Sequence, residues 1–135
     1  MRRYAIVAVF VAVLLAVAGC QGGAGSSTPA PKSTPELQQV LASGKKTVVF
    51  FLNPEGGPCR QQNEILKKLY EDRSGNFNVA FVSAMKQEDE KAFYDYGIRS
   101  LPSLVLVDSK GMISNHFPPG IQSYETVAQA LDTAK

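Results

Sequence analysis

The stretch TVVFFLNPEGGPCR, residues 47–60, decides how the rest of the chain is read. Thr47 to Leu52 is an unbroken β-branched and aromatic run, the pattern of a strand buried on both faces. Asn53 to Gly57 interrupt it, and Pro58 suits the first turn of the helix that follows. Ile65, Leu66, Leu69 and Tyr70 form the apolar stripe of that helix, which runs to about Arg73 and stops at Ser74-Gly75-Asn76. A strand feeding a helix through a short loop sets the first helical turn, with Cys59 in it, at one end of a sheet.

Working outward, Pro35–Leu41 carries apolar residues at helical spacing, with Thr34 as cap and Gly44 as stop. Asn78–Val82 reads as a second strand, and Gln87–Tyr96 as a short helix ending at Gly97 with Phe93 and Tyr96 inward. Ser103–Val107 is a third strand, Asp108–Gly111 a turn, and Met112–Phe117 a fourth strand. Pro118-Pro119-Gly120 breaks the chain, and Ser123 caps a last helix through Val127, Ala130 and Leu131. Strands separated by helices pair in parallel, and the tight turn makes an antiparallel hairpin. The expectation is an α/β fold: a mixed four-stranded sheet with helices on both faces.

The N-terminus speaks to location. Met1-Arg2-Arg3-Tyr4 is basic, Ala5 to Ala18 is apolar, and Gly19-Cys20 closes the run. That is the form of a secretory signal, and the run is shorter than the roughly 20 residues a spanning helix needs. Val17-Ala18-Gly19-Cys20 resembles the bacterial lipobox. The resemblance implies that residues 1–19 are a lipoprotein signal peptide and that Cys20 is lipidated on its sulfur and its new amino terminus. Several acyl chains anchor stably where one does not. The protein is then exported and lipid-anchored to the cell envelope. Gln21, in place of aspartate, resembles the signal for the periplasmic side of the outer membrane in a diderm organism. The alternative is a plain secreted protein in which Cys20 pairs with Cys59.

Loss of residues 1–19 removes Arg2 and Arg3 and leaves twelve basic and twelve acidic side chains. A formally neutral chain without a basic cluster excludes nucleic acid and a polybasic membrane surface as partners. Residues 20–35 are small, polar and proline-punctuated, the composition of a flexible tether behind the lipidated cysteine. Residues 36–135 remain as one small domain, expected to be a monomer.

Two segments carry a family resemblance. Phe51 through Arg60 resembles the thioredoxin family's strand-loop-helix segment ending in Trp-Cys-Gly-Pro-Cys-Lys/Arg. Tyr96-Gly97-Ile98-Arg99-Ser100-Leu101-Pro102-Ser103-Leu104 resembles its Val/Ile-Arg-Gly/Ser-Ile-Pro-Thr-Leu segment. The resemblance covers residues 36–134 and implies a thioredoxin-like three-layer α/β/α domain. It also implies a cis Leu101–Pro102 bond beside Cys59, with Leu101 and Pro102 binding an extended substrate peptide by strand addition. An ordinary trans proline opening the strand at Ser103 is the alternative.

The departures matter as much. Glu55 replaces the family's tryptophan, Gly56 its first cysteine, and Phe50 the buried acid often found nine residues before the second cysteine. In the family the first cysteine attacks and the second resolves. Gly56-Gly57-Pro58-Cys59 keeps the resolving position alone, so a two-thiol cycle cannot close within one molecule. Unpaired amides and the helix dipole favour negative charge at Cys59, Arg60 adds to this and Glu55 offsets it.

Three readings of Cys59 stay open. It exchanges with a client protein or small thiol through a mixed disulfide; the domain is a non-catalytic binding module; or the cysteine is a buried small hydrophobe. None calls for a cofactor. A peroxiredoxin carries threonine where Gly56 stands. Cys59 and His116 are too few for the three or four ligands of zinc. A lone His116 without a nucleophile elbow does not make a hydrolase. Glu88-Asp89-Glu90 reads as complement to a helix dipole, and Lys45-Lys46 and Lys67-Lys68 as solvated faces.

Overall fold

A computed structural model describes residues 28–135. The signal peptide expected at residues 1–19 and the lipidation expected at Cys20 fall outside the described residues. The elements in order are β1 (Thr28–Pro29), α1 (Pro35–Leu41), β2 (Thr47–Leu52), α2 (Gly57–Asp72), β3 (Asn78–Ser83), a 3-10 turn (Gln87–Asp89), α3 (Glu90–Asp95), β4 (Ser103–Val107), β5 (Met112–His116) and α4 (Tyr124–Thr133).

The sheet order is β1-β5-β4-β2-β3. β2 is parallel to β3, from Thr47 opposite Asn78 to Leu52 opposite Ser83, and antiparallel to β4, with Phe51 opposite Ser103. The uniform apolar character of β2 follows from this central place. Val48 and Phe50 pack with Leu66 and Leu69 of α2 and with Val127 and Leu131 of α4. Val49 and Phe51 pack on the other side with Leu37 and Leu41 of α1 and with Ala92 and Tyr96 around α3. All four strand residues are fully buried. Each stabilises the fold by about 1.5–3 kcal/mol relative to exposure.

The helix starts form as their sequence indicates. Thr34 Oγ1 accepts the Leu37 amide at 3.1 Å, and Ser123 Oγ accepts the Thr126 amide at 3.1 Å. In the hairpin turn, Asp108 Oδ1 accepts the amides of Lys110 and Met112, and Gly111 takes φ +79°, a conformation that favours glycine.

The three-layer α/β/α architecture expected from the resemblance is present, with corrections. The mixed sheet has five strands rather than four, because Thr28 and Pro29 pair antiparallel with Ile113 and Met112 on the edge of β5. The tether expected to run to residue 35 is therefore bound to the domain from Thr28 onward. Composition misses this because edge pairing uses backbone groups, and a proline is tolerated on an edge.

The inward stripe of α2 is Cys59, Gln62, Leu66 and Leu69. Ile65 is half-buried, and Tyr70 is 44% exposed, lying edge-on over Phe77 at 5.7 Å. The apolar stripe predicted for α2 is thus rotated, and a glutamine faces the core. Asp89 is more than a complement to a helix dipole. It is 5% exposed, and its carboxylate accepts the outward amide of Ser83 at 2.8 Å, while Glu36 accepts that of Phe81 at 3.2 Å. Two carboxylates thus blunt the open edge of β3, which would otherwise template a foreign strand.

Candidate functional site

The site forms where β2 ends. Because β4 is antiparallel to β2, its first residue, Ser103, pairs with Phe51, and Pro102 lies at the same end of the sheet as the loop that follows Leu52. The Leu101–Pro102 peptide bond is cis, as the resemblance implies. Pro102 is buried and Leu101 half-buried. Leu101 packs against both apolar clusters, and the one on the α2–α4 side contains Cys59. The sulfur and the Leu-Pro peptide, about forty residues apart in sequence, are thereby brought to one end of the molecule. Among the described residues the Leu101 amide and carbonyl make no backbone hydrogen bond, which leaves both groups open to an added strand.

The loop leading into α2 is organised by Asn53. Its side-chain oxygen accepts the Glu55 amide at 3.0 Å, and its carbonyl accepts the Gly56 amide at 2.9 Å. The Asn53 amide itself points at the cysteine, donating to Sγ at 3.4 Å. Arg60 turns its guanidinium back onto the Glu55 carbonyl at 2.9 Å, closing the loop over the helix start. Glu55 and Arg60 are both exposed.

Cys59 is a free cysteine at 3% exposure, at the third position of α2. Gly56 is its immediate neighbour. A Cβ added there would meet Cys59 Sγ at 3.7 Å and the Asn53 carbonyl at 3.3 Å. Gly57 and Pro58 are exposed, so the degenerate motif forms the rim of the site and its one sulfur the floor. Phe50 is fully buried in the same cluster as Cys59, so apolar surface occupies the place of the family's buried acid.

Gln62, which the apolar periodicity of α2 does not single out, ties the site together. It is fully buried. Its amide nitrogen donates to the Gln122 carbonyl at 3.2 Å, and its oxygen accepts the Gln122 amide at 2.6 Å. The Gln122 side chain donates to the Pro118 carbonyl at 2.7 Å, and the Gly120 amide donates to the Pro102 carbonyl at 3.0 Å. The loop between β5 and α4 therefore bridges α2 to the cis-proline segment. A polar residue on the inward face of a helix is the sequence signal that could have marked it.

His116 is exposed on β5, with β4 lying between it and β2, and it does not join Cys59. Among the described residues no group of three or more histidine, cysteine, aspartate or glutamate side chains is placed to hold a metal ion. No described helix is long and apolar enough to cross a membrane.

A family model described as a thioredoxin-like domain matches residues 34–135. Over 95 residues the chain is 30% identical to Thioredoxin 1 of Nostoc sp., covering 70% of this chain and 85% of that protein. It is 30% identical over 81 residues to Thioredoxin of Synechocystis sp., covering 60% and 74%. Fasciola hepatica thioredoxin superposes with a TM-score of 0.61 at 19% identity, covering 73% of this chain and 91% of that one. A thioredoxin-like protein of Clostridium perfringens does so with a TM-score of 0.62 at 19% identity, covering 67% and 71%. At such identity the structural likeness speaks for the fold alone.

Proposed function

Since the chain belongs to the thioredoxin-like family, we propose that it is an exported, lipid-anchored member of the cell envelope that binds an extended segment of a client protein and forms one mixed disulfide with it. The segment pairs with the open backbone of Leu101 beside cis-Pro102, and the reacting sulfur is that of Cys59. The chemistry is balanced within the pair. The Cys59 thiol gives up its proton, its sulfur attacks a client disulfide, a Cys59–client S–S bond forms, and the other client sulfur leaves as a thiolate. An external thiol then has to resolve the bond, because Gly56 offers none. The bare backbone of Gly56 beside the sulfur carries this reading, for it leaves the approach that a side chain there would fill.

The test is the rate at which native Cys59 reacts with a small aliphatic disulfide, set against the rate after unfolding. Native reactivity within about tenfold of the unfolded chain supports exchange, since access governs such rates. A thiol silent until the protein unfolds removes the covalent step.

A second reading has its own observation: Cys59 is only 3% exposed. In that reading the domain holds the extended segment at Leu101-Pro102 without covalent chemistry. Client-peptide binding that survives Cys59→Ser unchanged would select it.

A further inference from the structure

The first described residues are fastened to the domain, and this shortens the leash by which it would be held. Thr28 and Pro29 pair with Ile113 and Met112. The Ala30 amide donates to the Gly111 carbonyl at 2.9 Å, and Ala30 is buried. The Tyr96 hydroxyl donates to the Pro31 carbonyl at 2.8 Å, and the Ser33 hydroxyl donates to the Asp95 carboxylate. Thr34 then caps α1. No slack remains between Thr28 and the helix.

Cys20 precedes Thr28 by eight residues. A fully extended chain spans about 3.3–3.6 Å per residue, which limits that reach to roughly 30 Å. Had the chain been free as far as Pro35, the limit would be about 50 Å. The attachments remove nearly half the reach. β1 also sits on the edge opposite β3, with β5 and β4 between it and β2, so the attachment leaves the Cys59 end uncovered. Because β1 is antiparallel to β5, the chain enters it from the end of the sheet where Phe117 meets Leu104, which is the end that carries the site.

We propose that the partner of the Leu101–Cys59 site is a segment of a membrane-bound protein presented close to the bilayer, rather than a freely diffusing client. The inference rests on the proposed lipidation of Cys20 and on the client-binding reading above. An anchored domain on a leash this short works only in a layer about one domain deep over the membrane. A partner confined to that layer meets it at a high effective concentration.

The experiment uses the full-length lipidated protein in phospholipid vesicles. A donor dye is attached through Lys110→Cys in a Cys59→Ser background, and the acceptor is a headgroup-labelled lipid. Energy transfer is expected to be strong. It should fall several-fold when about 30 Gly/Ser residues, adding roughly 30 Å of mean span, are inserted between Ser27 and Thr28. Transfer that is weak at the outset, or unmoved by the spacer, overturns the short leash even if the protein floats with the vesicles. Failure to float overturns the anchoring reading and this inference with it.

In the second arm, with Cys59 intact, a disulfide-bearing peptide is supplied either on a lipid headgroup or in solution at the same bulk concentration. Binding to the vesicle-borne form is expected to exceed the soluble form by about tenfold or more, and to lose that advantage with the spacer. Equal binding overturns the choice of partner. Binding of neither overturns the client-binding reading while the energy-transfer result stands.

Discussion

The position that a Cβ on Gly56 would occupy lies 3.7 Å from the sulfur of Cys59. The protein keeps the spatial frame of a dithiol and lacks one of its atoms. Gly56 has φ −75°, an ordinary value for any residue. Gly56→Cys is therefore expected to form an intramolecular disulfide with Cys59 under mild oxidation, with only a small shift of the Asn53 carbonyl. Thiol titration and intact mass should find no free thiol in the oxidised variant's mature domain, and insulin-type disulfide reduction should rise above the parent. Two titratable thiols persisting after oxidation would show that the frame has closed differently.

Gln62 holds both backbone groups of Gln122 while fully buried. Gln62→Leu keeps the volume but takes the side-chain partners from the amide and carbonyl of half-buried Gln122, at a total cost of about 1–3 kcal/mol. Denaturant unfolding should show that loss, and peptide binding at Leu101-Pro102 should weaken because Gly120 no longer fixes the Pro102 carbonyl as tightly. Wild-type stability in this variant would show that the loop finds other partners.

Asp89 caps the edge of β3 through the Ser83 amide. Asp89→Ala is expected to destabilise by about 1–3 kcal/mol, whereas Asp89→Asn retains an acceptor and loses less. Equal losses in the two variants on thermal unfolding would mean that the charge, and not the hydrogen bond, is what the position requires.

Three carboxylates are held below their ordinary range. For Asp72 the cause is first the Tyr124 hydroxyl and then Lys68; for Asp95, Lys91 and then Ser33; for Asp132, the paired hydrogen bonds of Arg73. A lowered folded-state pKa contributes stability that is present above the unfolded value, about 4, and is lost as pH falls through the folded value. The midpoint of thermal unfolding should thus hold from pH 7 to about 5 and fall below about 4. Asp132→Asn should make that acid fall shallower. A profile flat to pH 2 would contradict the linkage.

Tyr96 fixes the N-terminal segment through Pro31, and burial pushes its phenol pKa up. The sign is opposite to that of the carboxylates. This stability is complete below the unfolded tyrosine value of about 10, and declines as pH rises above it toward the folded value. Tyr96→Phe should cost about 0.5–1.5 kcal/mol, flatten the alkaline loss and quicken proteolysis between Thr28 and Thr34. Unchanged proteolysis would mean that β1 pairing alone holds the segment.

Much of this was legible in one dimension. The β2 run, the Thr34 and Ser123 caps and the Asp108–Gly111 turn are local signals, because strand burial, capping and turn geometry act over a few residues. The missing first sulfur at Gly56 is likewise a matter of spelling. Packing decided the rest. Tertiary placement turned Gln62, rather than Tyr70, toward the core and supplied its partner sixty residues away. It set the Asn53 amide on the Cys59 sulfur, sank that sulfur to the floor of the site, and fastened Thr28 to an edge that composition had left free. Periodicity records which face of an element is apolar. Which polar groups can be buried depends on what distant backbone stands ready to bond them, and only the folded chain determines that.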